Sequence, residues 1–290
     1  MKKATQPFSN RLAIVFDFDE TLIPGDSFNL LLASLALDPD KFKQERVQPL
    51  IDNGWEKYLA RAYCLIKESK QREHGQKITQ EWLAKLGRKL KLINGVTEMF
   101  PRLRDYVAKI NPEVEIEFYL ISGGFVEIAR HTSIAPNFKK MWGCEFYFGL
   151  NGEIEFIKQQ MTHTEKTRYL FYISQGIDHD NEQDLIYNYN HFSKEKLHIP
   201  LTQTIYVGDG TSDIPCFSVI NQYHGIAIGI YKQGNSAQNW EHRTAMKVSQ
   251  RVANLAPADY SENSELMRSL LLSIDSICKQ IALRQLSIGE

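Results

Sequence analysis

The feature that most constrains the fold is a short apolar run that ends in two acidic residues. Residues 12–18 are almost all apolar, and Asp17 and Asp19 stand at the end of this run. A continuous apolar run of this length is typical of a strand that is buried on both faces of a parallel sheet. The same pattern returns at residues 115–121 and at residues 203–207, and residues 225–230 are a further strand candidate. The chain is therefore predicted to contain several parallel strands.

Helical patterns, including one at residues 237–248, alternate with these strands, apart from one long interruption. Between the runs at 12–18 and 115–121, residues 26–92 show helical periodicity and no strand run. Strands that alternate with helices indicate right-handed crossovers and a parallel sheet. We therefore expect an α/β fold with a Rossmann-like parallel sheet and an all-helical cap inserted after the first strand. The α/β core is predicted to comprise residues 1–25 and 93–290.

Four acidic residues directly follow the predicted strands. Asp17 and Asp19 follow the first strand, and Asp209 and Asp213 follow a later one. Ligands of an open parallel sheet bind outside the carboxyl ends of its strands. Four carboxylates in one crevice would repel each other and resist burial unless a cation accompanies them. Ligation by oxygen alone is what Mg²⁺ prefers, usually together with a phosphate group. The pattern predicts a Mg²⁺ site that takes a phosphorylated ligand.

A lysine near the start of a predicted helix supports an anionic ligand. Thr162 and Glu165 have the spacing of a capping box, which predicts that a helix starts there. Lys166 then lies in the first helical turn, where the helix dipole disfavours a cation. An anionic site beside Lys166 would offset this unfavourable placement. The alternative is a solvated surface lysine, which is the commoner situation for this residue type.

Four short motifs occur in order along the chain. They are residues 17–22 (DFDETL), residues 122–124 (SGG), Lys166, and residues 208–213 (GDGTSD). Together they resemble the four motifs of the haloacid-dehalogenase superfamily, in its phosphoserine-phosphatase-like branch with a helical cap between the first two motifs. The likeness covers residues 11–25 and 93–230 and the position of the cap. One departure is Glu20, where many relatives have glycine.

The resemblance implies a covalent mechanism for the first motif. Asp17 would be the nucleophile that attacks phosphorus and forms an aspartyl-phosphate. Asp19 would protonate the leaving oxygen and later deprotonate the attacking water. Neighbouring negative charge raises the pKa of a carboxyl group, which suits Asp19 to this role. Thr21 would hydrogen-bond near the nucleophile and orient it.

The resemblance also implies how the cation and the phosphoryl group are held. The ligands of Mg²⁺ would be the Asp17 carboxylate, the backbone carbonyl of Asp19 and the Asp209 carboxylate. Asp213 would lie close by, either as a direct ligand or behind one. The phosphate-binding residues would be Ser122, Gly123 and Lys166. They would hold the transferring phosphoryl group and offset the charge that develops on it.

The cap is expected to select the substrate, a small-molecule phosphomonoester. Asp26 lies at the entrance of the cap, where an acidic residue of similar phosphatases faces the leaving group. It could pair with an amine, which favours a phosphoserine-like substrate or another amino-alcohol phosphate. Alternatively, Asp26 is the N-cap of the helix that follows. Arg46 and Arg61 are either ligands for a substrate carboxylate or solvated surface arginines.

Other functions could use some of the same residues. A phosphotransferase or mutase would use the same site and differ only in the acceptor. A phospho-accepting regulatory protein also combines acidic residues, a hydroxyl and a lysine, but the helical segment at 26–92 argues against a single short receiver domain. A dinucleotide site is disfavoured because Asp213 stands where the fingerprint has its third glycine. The chain contains no Gly-Lys pair, which excludes a P-loop.

Composition narrows the partners and the location. The chain has 34 Lys plus Arg and 35 Asp plus Glu, a net charge of -1, which argues against nucleic-acid binding through a broad basic face. The apolar stretch at 28–37 is about half as long as the roughly 20 residues that a membrane-spanning helix needs, which argues against a protein that spans the membrane. No apolar segment follows the lysines at the amino terminus, so a cytoplasmic location is expected. The acidic stretch at 178–184 is expected to be a surface excursion of unassigned role.

An apolar stripe near the carboxyl terminus has helical spacing. Such a stripe usually packs on the core of the protein, and a dimer contact is the alternative. The protein is therefore expected to be a monomer or a homodimer. The stripe consists of Leu266, Leu270, Ile274, Ile277 and Ile281.

Overall fold

The computed structural model of the 290-residue chain describes residues 9–177, 197–232 and 252–288. The acidic stretch at 178–184 and a helix predicted at 237–248 lie outside these residues.

The described residues form one seven-stranded sheet with the order β4-β3-β2-β1-β5-β6-β7. All neighbouring strands are parallel except β3 and β4, which are antiparallel. The predicted α/β fold with a Rossmann-like parallel sheet is thus confirmed. The strands are β1 (Arg11–Phe16), β2 (Glu115–Phe125), β3 (Lys140–Phe148), β4 (Ile154–Gln159), β5 (Thr204–Gly208), β6 (Ile226–Tyr231) and β7 (Asn254–Pro257).

Helices cover both faces of the sheet and fill the stretch between β1 and β2. Five of them follow β1 directly, as expected for an all-helical cap inserted after the first strand. A π-helical segment, Lys43–Val47, joins the second and third helices. The helices are α1 (Ser27–Ser34), α2 (Pro39–Phe42), α3 (Gln48–Asp52), α4 (Lys57–Gln71), α5 (Gln80–Lys89), α6 (Val96–Ile110), α7 (Val126–Ala129), α8 (Glu165–Gln175), α9 (Ile214–Gln222) and α10 (Glu265–Ile288).

The central strand β1 contributes to a hydrophobic cluster on each face of the sheet. Because side chains alternate along a strand, Ala13 and Val15 pack with the cap helices and α8. Ile14 and Phe16 point to the opposite face and pack with α6 and α10. Burial on both faces explains the continuous apolar run from which the strand was predicted. It also anchors β1 rigidly, so the loop after Phe16 starts from a fixed point.

The helix α10 packs its apolar stripe on the core, as the spacing predicts. All five residues of the stripe are buried in the cluster that contains Phe16 and Tyr260. Within the described ranges, no helix combines the length and the apolar character that crossing a membrane requires.

Candidate active site

The loop after β1 brings the first two acidic residues to the carboxyl edge of the sheet. The amide of Asp17 donates to the carbonyl of Val207 in the neighbouring strand β5, at 2.9 Å. The chain then turns sharply, and the amide of Leu22 donates to the carbonyl of Phe18 at 2.9 Å. Glu20 has a φ of 54°, in the left-handed region that favours glycine. This conformation gives a physical reason for the glycine of many relatives at this position.

Asp19 is tied to the start of the cap. Its Oδ1 accepts a hydrogen bond from the amide of Ser27 at 2.9 Å, and its Oδ2 accepts from the Ser27 hydroxyl at 3.1 Å. Removal from bulk water and the negative charges of Asp26 and Asp17 raise the pKa of Asp19 to about 8. A carboxyl group with this pKa holds a proton near neutral pH and can donate it.

Lys166 is a buried cation that lies between two carboxylates. Its side chain is 1% exposed, and its Nζ lies 2.8 Å from Oδ1 of Asp17 and 2.8 Å from Oδ1 of Asp213. Burial by itself would lower the pKa of Lys166, but the two carboxylates raise it well above its ordinary value. Lys166 is therefore not a solvated surface lysine. It supplies a fixed positive charge at the site.

The predicted capping box before Lys166 is only partly formed. The Thr162 hydroxyl accepts from the amide of Glu165 at 3.3 Å. The N-cap of α8 is Thr164, however, and its side chain makes no capping hydrogen bond. The carboxylate of Glu165 instead pairs with Arg168, at 2.9 Å, so it does not complete the box.

Asp213 fixes Lys166 and the neighbouring loop. It is fully buried, and its Oδ1 accepts from Lys166 and from the Tyr206 hydroxyl, the latter at 2.7 Å. Its Oδ2 accepts from the amide of Gly210 at 3.2 Å. Sequence reasoning missed Tyr206, because a tyrosine within an apolar strand shows no sign of its hydroxyl partner. Hydrogen bonds from the described residues thus occupy both lone pairs of Oδ1 and one of Oδ2 on Asp213.

Three carboxylates form a cluster that could hold a metal ion. Oxygen atoms of Asp17, Asp209 and Asp213 lie within 4.8 Å of one another. Burial, with Asp17 and Asp213 next in importance, raises the pKa of Asp209 to about 9. Burial also raises the pKa of Asp17 to about 7, although Lys166 acts in the opposite direction. The positive charge of Lys166 alone therefore does not neutralise the three carboxylates. Their hard oxygen donors fit Mg²⁺.

The SGG motif continues the strand β2 and lies beside the cluster. Ser122 is 1% exposed, and its hydroxyl oxygen accepts from the amide of Gly124 at 3.0 Å. A Cβ at Gly123 would lie 2.6 Å from the hydroxyl oxygen of Tyr58 in the cap. A Cβ at Gly124 would lie 2.7 Å from the Ser27 hydroxyl oxygen. A side chain at either position would force Tyr58 or Ser27 to move, because the cap approaches the strand this closely.

The hydrogen bond predicted for Thr21 is not formed. Its hydroxyl is buried and has no hydrogen-bond partner among the described residues. The backbone turns at Phe18, whose carbonyl accepts from the amides of Thr21 and Leu22, and Thr21 is fully buried. The carbonyl of Thr21 accepts from the Tyr260 hydroxyl at 3.0 Å, so the residue anchors the loop to the core.

A polar cavity of about 340 Å³ opens between the core and the cap. It brings together most of the predicted site residues with side chains from α1, α4 and the loop before α8. Thr21 and Asp213 do not line it. The core residues on its wall are Asp17, Asp19, Glu20, Ser122, Gly123, Gly124, Lys166, Asp209, Gly210 and Ser212, and the others are Asp26, Asn29, Lys57, Tyr58, Arg61 and His163.

Asp26 serves as a helix cap and as an ion-pair partner. Its Oδ1 accepts from the amide of Phe28 at 2.8 Å, so it is the N-cap of α1. Its Oδ2 lies 3.3 Å from a guanidinium nitrogen of Arg61. Arg61 is therefore a cavity residue and not a solvated arginine. Arg46 does not line the cavity and pairs with Glu68 instead.

Several cavity residues gave no signal in the sequence. Lys57 and Tyr58 lie in the first turn of α4, where the periodic pattern does not show which side chains face the core. Asn29 has a buried side-chain oxygen without a hydrogen-bond partner among the described residues. The ring of His163 contacts that of Tyr58 edge to face, with 5.8 Å between centroids.

Comparisons with known proteins agree with this fold. The haloacid dehalogenase-like hydrolase family matches residues 14–218. An uncharacterized protein of Borreliella burgdorferi is 26% identical over 94% of this chain and 98% of its own length. A structure of a haloacid-dehalogenase family hydrolase from Salmonella enterica serovar Typhi has a TM-score of 0.54 at 15% identity and covers 88% of this chain and 69% of that one.

A second solved structure has the same overall fold. It is a phospho-aspartyl intermediate analogue of phosphoserine phosphatase, with a TM-score of 0.52 at 13% identity. The match covers 90% of this chain and 98% of that one. With the family match over most of the chain and the motif residues gathered around one cavity, the chain belongs to the haloacid dehalogenase-like hydrolase family.

Proposed function

We propose that the protein is a Mg²⁺-dependent phosphatase that hydrolyses a small-molecule phosphomonoester through an aspartyl-phosphate on Asp17. The observation that carries this proposal is the meeting of the separate motifs around one cavity. Lys166 bonds to Asp17 at the floor, while Asp19, Ser122 and Asp209 line the wall of the same space. These groups are the nucleophile, acid, anion binder and cation ligand that phosphoryl transfer to a carboxylate requires.

Asp17 and Asp209 would hold Mg²⁺, together with the backbone carbonyl of Asp19. Burial, with a further contribution from neighbouring carboxylates, raises the pKa of both groups, so their ionised forms lack a compensating charge. When bound, Mg²⁺ would supply this charge and hold a phosphoryl oxygen. Asp213 would position Lys166 and the Gly210 loop and would not bind the ion directly, because most of its lone pairs already accept hydrogen bonds.

In the first half of the reaction, an oxygen of Asp17 would attack phosphorus. The bond between phosphorus and the ester oxygen breaks, and Asp19 gives its proton to that oxygen, so the alcohol leaves neutral. In the second half, Asp19 takes a proton from water as the water oxygen attacks phosphorus. The acyl-phosphate bond breaks, which releases inorganic phosphate and regenerates the Asp17 carboxylate.

Ser122 and Lys166 retain donors for the phosphoryl oxygens. The Ser122 oxygen accepts from the amide of Gly124, which leaves its own proton free to donate. The Lys166 ammonium has three protons, and two of them bond to Asp17 and Asp213. The third can reach a phosphoryl oxygen in the cavity.

The helical segment at 26–92 would select the substrate. Its charged side chains form one wall of the cavity above the predicted phosphate position. An amino-alcohol phosphate would need Asp26 to bind the amine. Both oxygens of Asp26 already have partners, so an amine would compete with Arg61. The support for an amine in the substrate is therefore weaker than the support for phosphate chemistry.

The test is phosphate release from a panel of small phosphomonoesters, with Mg²⁺ and with EDTA. We expect release that requires Mg²⁺ and that is lost in Asp17→Asn. A mass increase of one phosphoryl group on Asp17 in quenched wild-type protein would identify the intermediate. Release by Asp17→Asn at the wild-type rate would contradict the proposal.

The same experiment separates the alternatives. Transfer of the phosphoryl group to an added alcohol faster than to water would indicate a phosphotransferase or mutase. A stable acyl-phosphate without turnover would indicate a phospho-accepting regulatory protein. The cytoplasmic location and the monomeric or homodimeric state stay predictions from the sequence.

A further inference from the structure

The cap side of the cavity carries more positive than negative charge. Lys57 and Arg61 lie four residues apart on α4, so both side chains emerge on one face of the helix and both line the cavity. Asp26 is the acidic residue on this side, and it lies 3.3 Å from Arg61. The charge of Arg61 is thereby matched, whereas that of Lys57 is not.

Lys57 is an exposed residue and forms no ion pair with a carboxylate within 4 Å among the described residues, although Asp26 and Glu56 attract it over a longer distance. Its ammonium lies 5.6 Å from the centre of the Tyr58 ring, which is a weak cation–π contact. Desolvation, followed by the nearby Arg61, lowers the pKa of Lys57. A lysine of this kind gains a partner when an anion enters the cavity, because the attraction to the anion offsets the repulsion from Arg61.

Lys57 is separate from the groups that would hold the transferring phosphoryl group. Ser122 and Lys166 lie on the core side, next to Asp17. The Tyr58 hydroxyl lies against Gly123, where a Cβ would come within 2.6 Å of it. Lys57 lines the cap side of the same cavity, which is the side expected to receive the leaving group.

Resting on the proposed phosphatase function, we propose that the leaving group carries a second anionic group, a carboxylate or another phosphate, and that Lys57 binds this group. Lys57 is then a specificity-determining residue. A substrate whose leaving group is cationic would meet repulsion from Lys57, and its amine would have to displace Arg61 from Asp26.

The experiment compares four esters with the same two-carbon skeleton. Ethylene glycol monophosphate has a neutral leaving group, and phosphoethanolamine has a cationic one. Phosphoglycolate and ethylene glycol bisphosphate carry the second anion as a carboxylate and as a phosphate. We expect kcat/KM to be about tenfold higher for at least one anionic ester than for the neutral ester, and lowest for the cationic ester.

Three variants assign the effect to Lys57. Lys57→Gln should lower kcat/KM for the anionic ester about tenfold more than for the neutral ester, mainly through KM. Lys57→Arg keeps the charge and should retain the preference. Lys67→Gln makes the same charge change further along α4, outside the cavity, and should leave all four values unchanged.

The outcomes separate this proposal from the proposed function. Hydrolysis of the neutral ester without preference for either anionic ester overturns the role of Lys57 and leaves the phosphatase intact. An equal loss on all esters in Lys57→Gln also overturns it, because Lys57 would then serve the phosphoryl group. Failure to hydrolyse any ester overturns both. The anionic ester that shows the preference identifies the second anion as carboxylate or phosphate.

Discussion

The ammonium group of Lys166 lies 2.8 Å from a carboxylate oxygen of Asp17, and both side chains are at most 5% exposed. The two residues are 149 positions apart, and the fold brings them together at the carboxyl edge of β1. A buried ion pair of this kind is costly to break, because each charge is left without solvent. This geometry makes Lys166 important for stability as well as for binding.

Lys166→Met should destabilise the protein by about 3–5 kcal/mol, since Asp17 and Asp213 would lose their shared cation. The measurement is the free energy of unfolding in urea without Mg²⁺. Lys85→Met removes an exposed lysine from α5 and should change this value by less than about 0.5 kcal/mol. An unchanged stability of Lys166→Met would contradict the buried pair.

Mg²⁺ should raise the melting temperature of the protein, because it offsets negative charge that is present only when the three aspartates converge. At a Mg²⁺ concentration of about 100 times Kd the stabilisation is about 2.7 kcal/mol, or roughly 5–10 °C. Thermal unfolding with Mg²⁺ and with EDTA measures it. Asp209→Asn should abolish most of the shift, whereas Asp105→Asn on the exposed face of α6 should retain it. An equal shift in both variants would place the ion elsewhere.

Gly123→Ala should reduce kcat/KM by about tenfold or more, because the added methyl group would meet Tyr58 and push the cap away from the core. Tyr58→Ala in the same chain should recover part of this loss relative to Gly123→Ala alone. Steady-state kinetics on one phosphomonoester measure both. Gly25→Ala is the matched control, since its Cβ would have no atom within 4 Å. Without any recovery in the double variant, the contact with Tyr58 cannot be the cause.

Asp26→Asn and Asp26→Ala separate two roles of one side chain. Asparagine is as good an N-cap as aspartate, so Asp26→Asn should keep stability within about 0.5 kcal/mol, while Asp26→Ala should lose about 1 kcal/mol. Denaturant unfolding measures both. If Asp26 binds a substrate amine, Asp26→Asn would lower kcat/KM for phosphoethanolamine alone, which runs against the geometry described above.

Glu127→Gln should change how stability depends on pH. Glu127 is buried on α7, its Oε1 accepts from the amide of Phe146, and burial raises its pKa to about 7. The folded state therefore binds more protons than the unfolded state between about pH 4.5 and 7, so ionisation of Glu127 lowers stability as pH rises through this window.

Glu127→Gln has no ionisable group at this position, so it does not lose stability through ionisation as the pH rises. Relative to wild type, Glu127→Gln should be similar in stability near pH 4.5 and more stable near pH 8, by up to about 3 kcal/mol. Urea unfolding at the two pH values measures the difference, with Glu262→Gln as an exposed control. A difference that does not vary with pH would mean that Glu127 is ionised throughout the window.

The sequence determined the central strands because their apolar runs reflect burial on both faces of the sheet. β1, β2, β5 and β6 were predicted in this way. β3, β4 and β7 were not predicted. β3 is interrupted by Gly143 and Glu145, β4 lies at the sheet edge with only its first residue buried, and β7 has only four residues.

The prediction that the motif residues lie close together also followed from the strand pattern. The carboxyl ends of adjacent parallel strands meet at one edge, so Asp17 and Asp209 could be expected to lie close together. The burial of Lys166 between Asp17 and Asp213 agrees with its unfavourable position in the first turn of α8. In these cases the backbone topology alone sets the neighbours.

Only the tertiary structure decided which cap residues face the cavity. Helical periodicity shows the apolar face of α4, but the seating of Tyr58 over Gly123 depends on how the cap packs on the core. The pairing of Asp26 with Arg61 joins residues 35 positions apart on different helices, and no local pattern encodes it. Local propensity and strand topology act along the chain, whereas the charge around the leaving group arises from side-chain packing between separate elements.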